Sequence, residues 1–286
     1  MDEQGGRGAV KKGICYDSID HQGSLDERLT VARRAGYDGV ELVIGPRQGP
    51  APLTLAMDRS AVEEVRETMA RHGLETPSLM GAVLAGAPVL SGDPAVRGQA
   101  VVNFSAALER AAWLGAPTVL MHPGQLWPET RYDQAWQGTV ETLRALIPAC
   151  ERTGVAIGLE NVWNKFLLAP TEMRGLLDEV DHPLIGCYLD TANMLLYGYA
   201  EHWVPILGGR LLKVHVKDFK RESGGGHFCQ LLDGDCNYPA VMRELRALGY
   251  DDYLTSEVSQ DERPADQTMA DTALRIETIM TMGHGA

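Results

Sequence analysis

The sequence lacks any cysteine pair that would suggest a bridge or a metal ribbon. Cys15, Cys150, Cys187, Cys229 and Cys236 are odd in number, scattered and include no CxxC. Neither a disulfide framework nor a zinc ribbon is signalled, and the thiols read as reduced, as in a cytoplasmic protein. Long apolar runs are missing too. The opening "MDEQGGRGAVKKG" has no core for a secretory signal, and no later stretch approaches the roughly 18 to 20 apolar residues that span a bilayer. A basic surplus is the third absence. Net charge is −13, and no cluster of Lys and Arg interleaved with aromatics offsets it, so a phosphate backbone would be repelled. Export, membrane insertion and nucleic-acid binding are therefore not expected.

What is present is a chain of 286 residues, 44% hydrophobic, able to fill a large core without staples. Eight short β-rich runs ending in polar residues recur: "GICYD" (13–17), "GVELVI" (39–44), "LETPSLMG" (74–81), "TVLMHPG" (118–124), "VAIGLEN" (155–161), "LIGCYLDTAN" (184–193), "LLKVHV" (211–216) and "YLTSEV" (253–258). Between them, spacings of three and four put apolar residues on one helical face, as in Tyr132, Trp136, Val140, Leu143, Ile147 and Cys150. "SLDE" at Ser24 to Glu27 is a capping box, and Asp93–Pro94 caps a helix that opens on proline. "RRAGYDGVE" and "RALGYDDYL" each stop a helix on glycine.

Eight strands alternating with seven clear helices, and an eighth over 262–281, give an α/β fold: a single-domain (β/α)8 TIM barrel over residues 13–281. An open doubly wound sheet is the alternative, because periodicity does not encode closure. Residues 1–12 read as a flexible tail and 282–286 as a loose end. The longest break in pattern, 218–236 with "SGGGHFC", reads as a long loop.

In a barrel the C-terminal strand ends converge on one mouth. Reading them off gives Glu41, His122, Glu160, Asp190, His215 and Glu257. A lone His or carboxylate there is most often a cap or a hydrogen-bonded structural group. Four such groups, about one strand–helix unit apart on consecutive strands, are different, because unpaired they would crowd charge into a narrow space. A divalent cation removes that cost, and three carboxylates with one imidazole suit Mn²⁺ best, with Mg²⁺, Co²⁺ or Zn²⁺ as alternatives. The expected ligands are Glu160, Asp190, His215 and Glu257, with Glu41 and His122 in the pocket wall. Trp127, Trp163 and Trp203 follow strands four to six and are candidates for an apolar wall, though rim packing is the commoner use. Lys213, Lys217, Asp218 and Lys220 read as surface or pairing charges.

With these residues in view, "GYDGVEL", "GLENVWN", "CYLDTANML", "GGRLLKVHVKDFKR" and "YLTSEV" resemble the sugar phosphate isomerase/epimerase superfamily, the xylose-isomerase-like barrels. The likeness is strongest to the ketose and ketose-phosphate 3-epimerases. It implies a metal-dependent epimerase or isomerase working through an enediolate, with Glu160 and Glu257 both ligands and proton carriers. It also implies Arg221 as a clamp on the substrate's carbonyl oxygen, a sugar or sugar-phosphate substrate, and admits a homo-oligomer. Two departures stand out. Many relatives carry "DxxH" where this chain has "DTAN", so Asn193 is a candidate for a sugar hydroxyl rather than for a metal. "ENVWNKF" does not reproduce the epimerase spacing, and Asn164 is as much a cap as an inward-facing group. A lyase acting on a keto-inositol or a 3-keto glycoside begins with the same proton abstraction and is the second expectation. A silent sugar-binding barrel is the third.

Overall fold

Most of the β-rich runs are buried on both faces, as strands must be when helices cover one side and a filled interior the other. The computed structural model describes residues 10–19, 23–45, 51–258 and 263–283. Its barrel strands are β1 (Lys11–Cys15), β2 (Gly39–Val43), β3 (Leu79–Ala82), β4 (Thr118–Met121), β5 (Ala156–Glu160), β6 (Ile185–Asp190), β7 (Leu211–Val216) and, after a hairpin, β10 (Tyr253–Ser256). They pair in parallel and close in the order β1-β10-β7-β6-β5-β4-β3-β2. The chain is a single (β/α)8 barrel, and the open-sheet alternative falls away.

The helices are α1 (Leu25–Arg34), α2 (Arg59–Arg71), α3 (Pro94–Leu114), α4 (Tyr132–Thr153), α5 (Pro170–Val180), α6 (Ala200–Leu207), α7 (Tyr238–Leu248) and α8 (Ala265–Thr281). Their ends follow local chemistry. Ser24 Oγ accepts from Glu27 N while Glu27 Oε2 accepts from Ser24 N, a reciprocal cap for α1. Asp93 caps α3 through Ala95 N, and Gly115 ends it in the left-handed conformation, φ 88°. No helix among the described residues is long and apolar enough to cross a membrane.

The barrel interior is set by a trade between large and small side chains. Tyr188 fills it from β6, and a Cβ on Gly158 of β5 would lie 3.0 Å from the Tyr188 Cβ. Gly186, two residues before Tyr188, sits where a Cβ would be 2.6 Å from both the Arg210 carbonyl oxygen and Leu212 Cγ. Lys213 is not at the surface, as expected from sequence, but 3% exposed. Its ammonium donates to both Asp252 oxygens at 2.8 and 2.6 Å, which explains how a buried cation is tolerated.

Three boundaries differ from those expected. β1 begins at Lys11, inside the stretch read as a tail, because Lys11 N bonds Asp252 O and the register with β10 starts there. At the other end Met282 O accepts from Arg246, so residue 282 is tied to α7, while residues 284–286 of the expected loose end lie outside the described residues. The stretch 218–236 is not a plain loop. It contains an antiparallel hairpin, β8 (Asp218–Glu222) with β9 (Gly225–Cys229). Gly226 is required there: φ is 148°, and a Cβ would come 2.2 Å from Lys220 O. Asp218 ties down the rest of the segment, its carboxylate accepting from the N–H groups of Phe219, Leu232, Gly234 and Cys236 at 2.9 to 3.2 Å.

Close packing at Gly186 predicts that Gly186→Ala lowers stability by about 1–3 kcal/mol. Gly175 lies exposed in α5, where a Cβ makes only an ordinary 3.6 Å contact with Trp136. Gly175→Ala is expected to raise stability by about 0.5–1 kcal/mol. Denaturant unfolding of the two variants checks both signs.

Candidate metal centre

The four groups expected to share an ion come together. One ligand atom from each of Glu160, Asp190, His215 and Glu257 lies within 4.8 Å of the others, three residues being buried and Glu257 half-buried. Backbone register explains the convergence: Asp190 pairs with His215 across β6 and β7, and Glu160 with Tyr188 across β5 and β6. Glu257 follows the last residue of β10 and its N–H bonds Val216 O.

Each ligand is oriented by a neighbour. His215 Nε2 faces Glu41 Oε1 at 2.8 Å, both side chains having no exposure. That contact fixes Nε2–H as the donor and leaves Nδ1 facing Glu160 and Glu257 at 3.6 and 3.8 Å. Asp190 Oδ1 accepts from Ala192 N and Asn193 N, at 2.8 and 2.7 Å. Asn161 brackets the Asp190 backbone, donating to its carbonyl and accepting from its N–H. Glu160 Oε2 meets His122 Nε2 at 2.6 Å.

The remaining atoms point to a cation. Asp190 Oδ2 and His215 Nδ1 are buried and have no hydrogen-bond partner among the described residues, a costly arrangement unless something electrophilic sits between them. The donor set of oxygens with one imidazole nitrogen fits a divalent ion of the Mn²⁺, Mg²⁺, Co²⁺ or Zn²⁺ kind. Electrostatics agree. Burial, with Glu160 and Glu257 nearby, raises Asp190 to about 6 even though Lys217 opposes it. Burial alone would strip a proton from His215, but Glu41, Glu160 and Glu257 carry its pKa well above the usual value. Burial works against ionised Glu160 as well, yet His122 and His215 hold it below the ordinary carboxylate range.

The other expected site residues are placed differently. Glu41 does not line the pocket wall. It lies beneath His215 with no exposure, and its second oxygen accepts from Ser78 Oγ at 2.5 Å and Tyr188 OH at 2.7 Å, which leaves no face for substrate. Arg221 is on the hairpin, paired with Asp235 and lying over the Tyr199 ring rather than at the cluster. Asn193 spends its amide N–H on Asn161 O at 2.9 Å. Asn164 bridges Gly124 O and Phe166 N and is structural. Trp203 is core, Trp127 is exposed, and Trp163 packs on Phe219 and Phe228 with ring centroids 5.5 and 5.0 Å away.

Ser78, Asn161 and Tyr188 support the site unannounced by sequence, since each acts through a partner far away in the chain. Lys217 is the larger omission: its ammonium lies 3.0 Å from Glu257 Oε2. Period two on β7, two residues beyond His215, was the available signal.

A bound cation requires Asp190 ionised and Nδ1 of His215 free of its proton. Affinity for Mn²⁺ is therefore expected to fall as pH drops from above the ordinary histidine range, where His215 takes up its proton, and more steeply through about 6, where Asp190 does, with protons released on binding. Glu41→Gln, which removes the charged acceptor behind His215, is expected to weaken Mn²⁺ binding by about 10–100-fold. Calorimetric titration across pH in two buffers of different ionisation heat checks both.

Comparison with known proteins places this site in a wider group. Residues 29–278 match the family described as xylose isomerase-like TIM barrel. The chain is 25% identical over 198 residues to 2-epi-5-epi-valiolone 7-phosphate 2-epimerase of Actinoplanes sp. strain SE50/110, with 68% of each covered. D-psicose 3-epimerase of Clostridium cellulolyticum H10, solved with D-tagatose, superposes with a TM-score of 0.77 at 17% identity, covering 95% of this chain and 99% of that one. The IolI protein solved with a zinc atom gives a TM-score of 0.79 at 16% identity, covering 95% and 98%. The two solved structures share the fold, and the match across 250 of the 286 residues carries the assignment: this chain belongs to the xylose isomerase-like TIM barrel family.

Proposed function

We propose that the chain is a metal-dependent epimerase or isomerase that moves the proton on the carbon beside the carbonyl of a ketose or ketose phosphate. One observation carries this: two glutamates from well-separated strands share a cluster with an Asp oxygen and a His nitrogen that have no hydrogen-bond partner among the described residues. The Actinoplanes relative and the Clostridium neighbour are both epimerases by name, the first of a 7-phosphate.

Glu160, Asp190, His215 and Glu257 would hold the ion, which when bound supplies positive charge beside the carbonyl oxygen and so acidifies the neighbouring C–H. The remaining work falls to the chain. Glu160, kept ionised by His122 and His215, is ready to accept a proton at neutral pH. Glu257 is 22% exposed at the mouth and separated from β5 by β6 and β7. Two carboxylates so placed flank a substrate from different sides. One, ionised, takes the proton onto its oxygen, giving an enediolate, and the other, which must enter the cycle as the carboxylic acid, gives its proton to the opposite face; that carbon is inverted and the two groups exchange protonation states. His122, 27% exposed, borders the open side of Glu160 and orients it.

The test is to load the protein with Mn²⁺ in deuterated water and offer ketoses, ketose phosphates and keto-glycosides. Deuterium beside the carbonyl without loss of a substituent is expected. Elimination would make the protein a lyase, and a protein that binds no ion and exchanges nothing would be a silent barrel. Glu160→Gln and Glu257→Gln should each slow exchange by about 10²–10⁴-fold, with Mn²⁺ occupancy measured in parallel so that a lost ion is not mistaken for a lost base. Removing the ion with EDTA should stop exchange, and Mn²⁺ should restore it.

A further inference from the structure

Among the cationic side chains of the described residues, Lys217 stands apart. Its ammonium is set into the mouth of the barrel, against Glu257 of the candidate cluster. Its backbone has little freedom: the N–H donates to Thr191 Oγ1, and the carbonyl accepts from Thr191 Oγ1 and Tyr238 OH. On the hairpin side the ammonium lies 4.6 Å from the centre of the Phe228 ring, which is itself backed by Trp163 and Phe219. Of three donors, one is used among the described residues, by Glu257 Oε2 at 3.0 Å. The side chain is 19% exposed, so the head is neither sealed in the core nor free in solvent.

The bond to Glu257 creates a conflict. Glu257 is the one half-buried member of the four-ligand cluster, and Lys217 occupies the carboxylate oxygen that also lies 3.8 Å from His215 Nδ1. A divalent ion in the cluster must share that carboxylate with a positive charge already seated on it. Once the ion takes Glu257, the ammonium no longer has a full anion to itself. Phe228 and the pinned backbone keep it at the mouth, with two of its donors unused among the described residues.

We propose that Lys217 is a built-in counter-cation for Glu257 that a metal ion partly displaces, and that the released ammonium then faces the substrate and donates to the oxygen on which negative charge gathers. The second half rests on the epimerase or isomerase reaction proposed above, while the first does not. Charge supports the role. The cluster with Glu41 holds four carboxylates, and a dication beside a neutral His215 leaves them in excess. A fixed cation beside the developing oxyanion offsets that excess where it opposes the reaction.

Lys217→Met is the informative change, since the unbranched side chain keeps the stem packed on Phe228 while losing charge and donors. Mn²⁺ binding to the substrate-free protein, followed by its electron paramagnetic resonance signal, is expected to tighten by about tenfold because the competing charge is gone. Turnover in the deuterium-exchange assay is expected to fall by about a hundredfold with KM changing little. Lys217→Arg should recover part of the lost turnover and bind Mn²⁺ as the wild type does. Unchanged or weaker Mn²⁺ binding by a Lys217→Met protein of normal melting temperature overturns the counter-cation. Tighter binding with undiminished turnover overturns the substrate-facing donor. Should the wild type itself exchange no sugar proton, the proposed reaction fails, and Mn²⁺ binding alone decides the role of Lys217.

Discussion

A carboxylate and an imidazole, both with no exposure, meet at 2.8 Å in the middle of the barrel, and the site above them depends on that contact. Taken from water singly, either charge would be prohibitive. Together, and with Ser78 and Tyr188 satisfying the second Glu41 oxygen, they form a polar pillar inside a wall of valine, leucine and isoleucine. Glu41 selects the tautomer of His215 and points Nδ1 upward. Tyr188 supports Glu41 from β6, and Gly158 on the neighbouring strand leaves room for its side chain. That glycine thus serves the site from below, through sterics, as the carboxylates serve it from above, through charge.

The fold was largely legible because its signals are local. Period two against period three-to-four, the Ser24–Glu27 box and glycine stops at Gly36, Gly115 and Gly249 need only neighbours in sequence. The meeting of Glu160, Asp190, His215 and Glu257 was legible because a barrel brings its strand ends to one mouth, so that position along a strand encodes position in space. Roles that depend on a distant partner were not. Glu41 reads as a strand-end group like the other candidates, yet it is the middle residue of β2 and lies one layer deeper, held by His215 and Tyr188, 174 and 147 residues away. Lys213 and Lys217 read as surface or pairing charges, and it is pairing that the fold uses. Alternation on β7 puts Lys213 on the face of His215, where Asp252 answers it, and Lys217, just past the strand, is answered by Glu257.

The hairpin escaped sequence reading for another reason. Its strands are mostly exposed past Phe219, so neither carries the apolar pattern by which strands are recognised. Arg221, which the family resemblance directs to the substrate, is held on that hairpin by Asp235 and lies over the Tyr199 ring. The aromatic faces of Trp163, Phe219 and Phe228 remain as the apolar border of the opening, next to the ammonium of Lys217.

Asp218 has a consequence beyond its four hydrogen bonds. By gathering the N–H groups of Phe219, Leu232, Gly234 and Cys236 onto one buried carboxylate, it closes the segment on itself at a single point next to β7. The segment between those anchors is thereby a detachable cassette. Away from Gly226 and Phe228, its length and side chains can change while the strand that carries His215 stays in register.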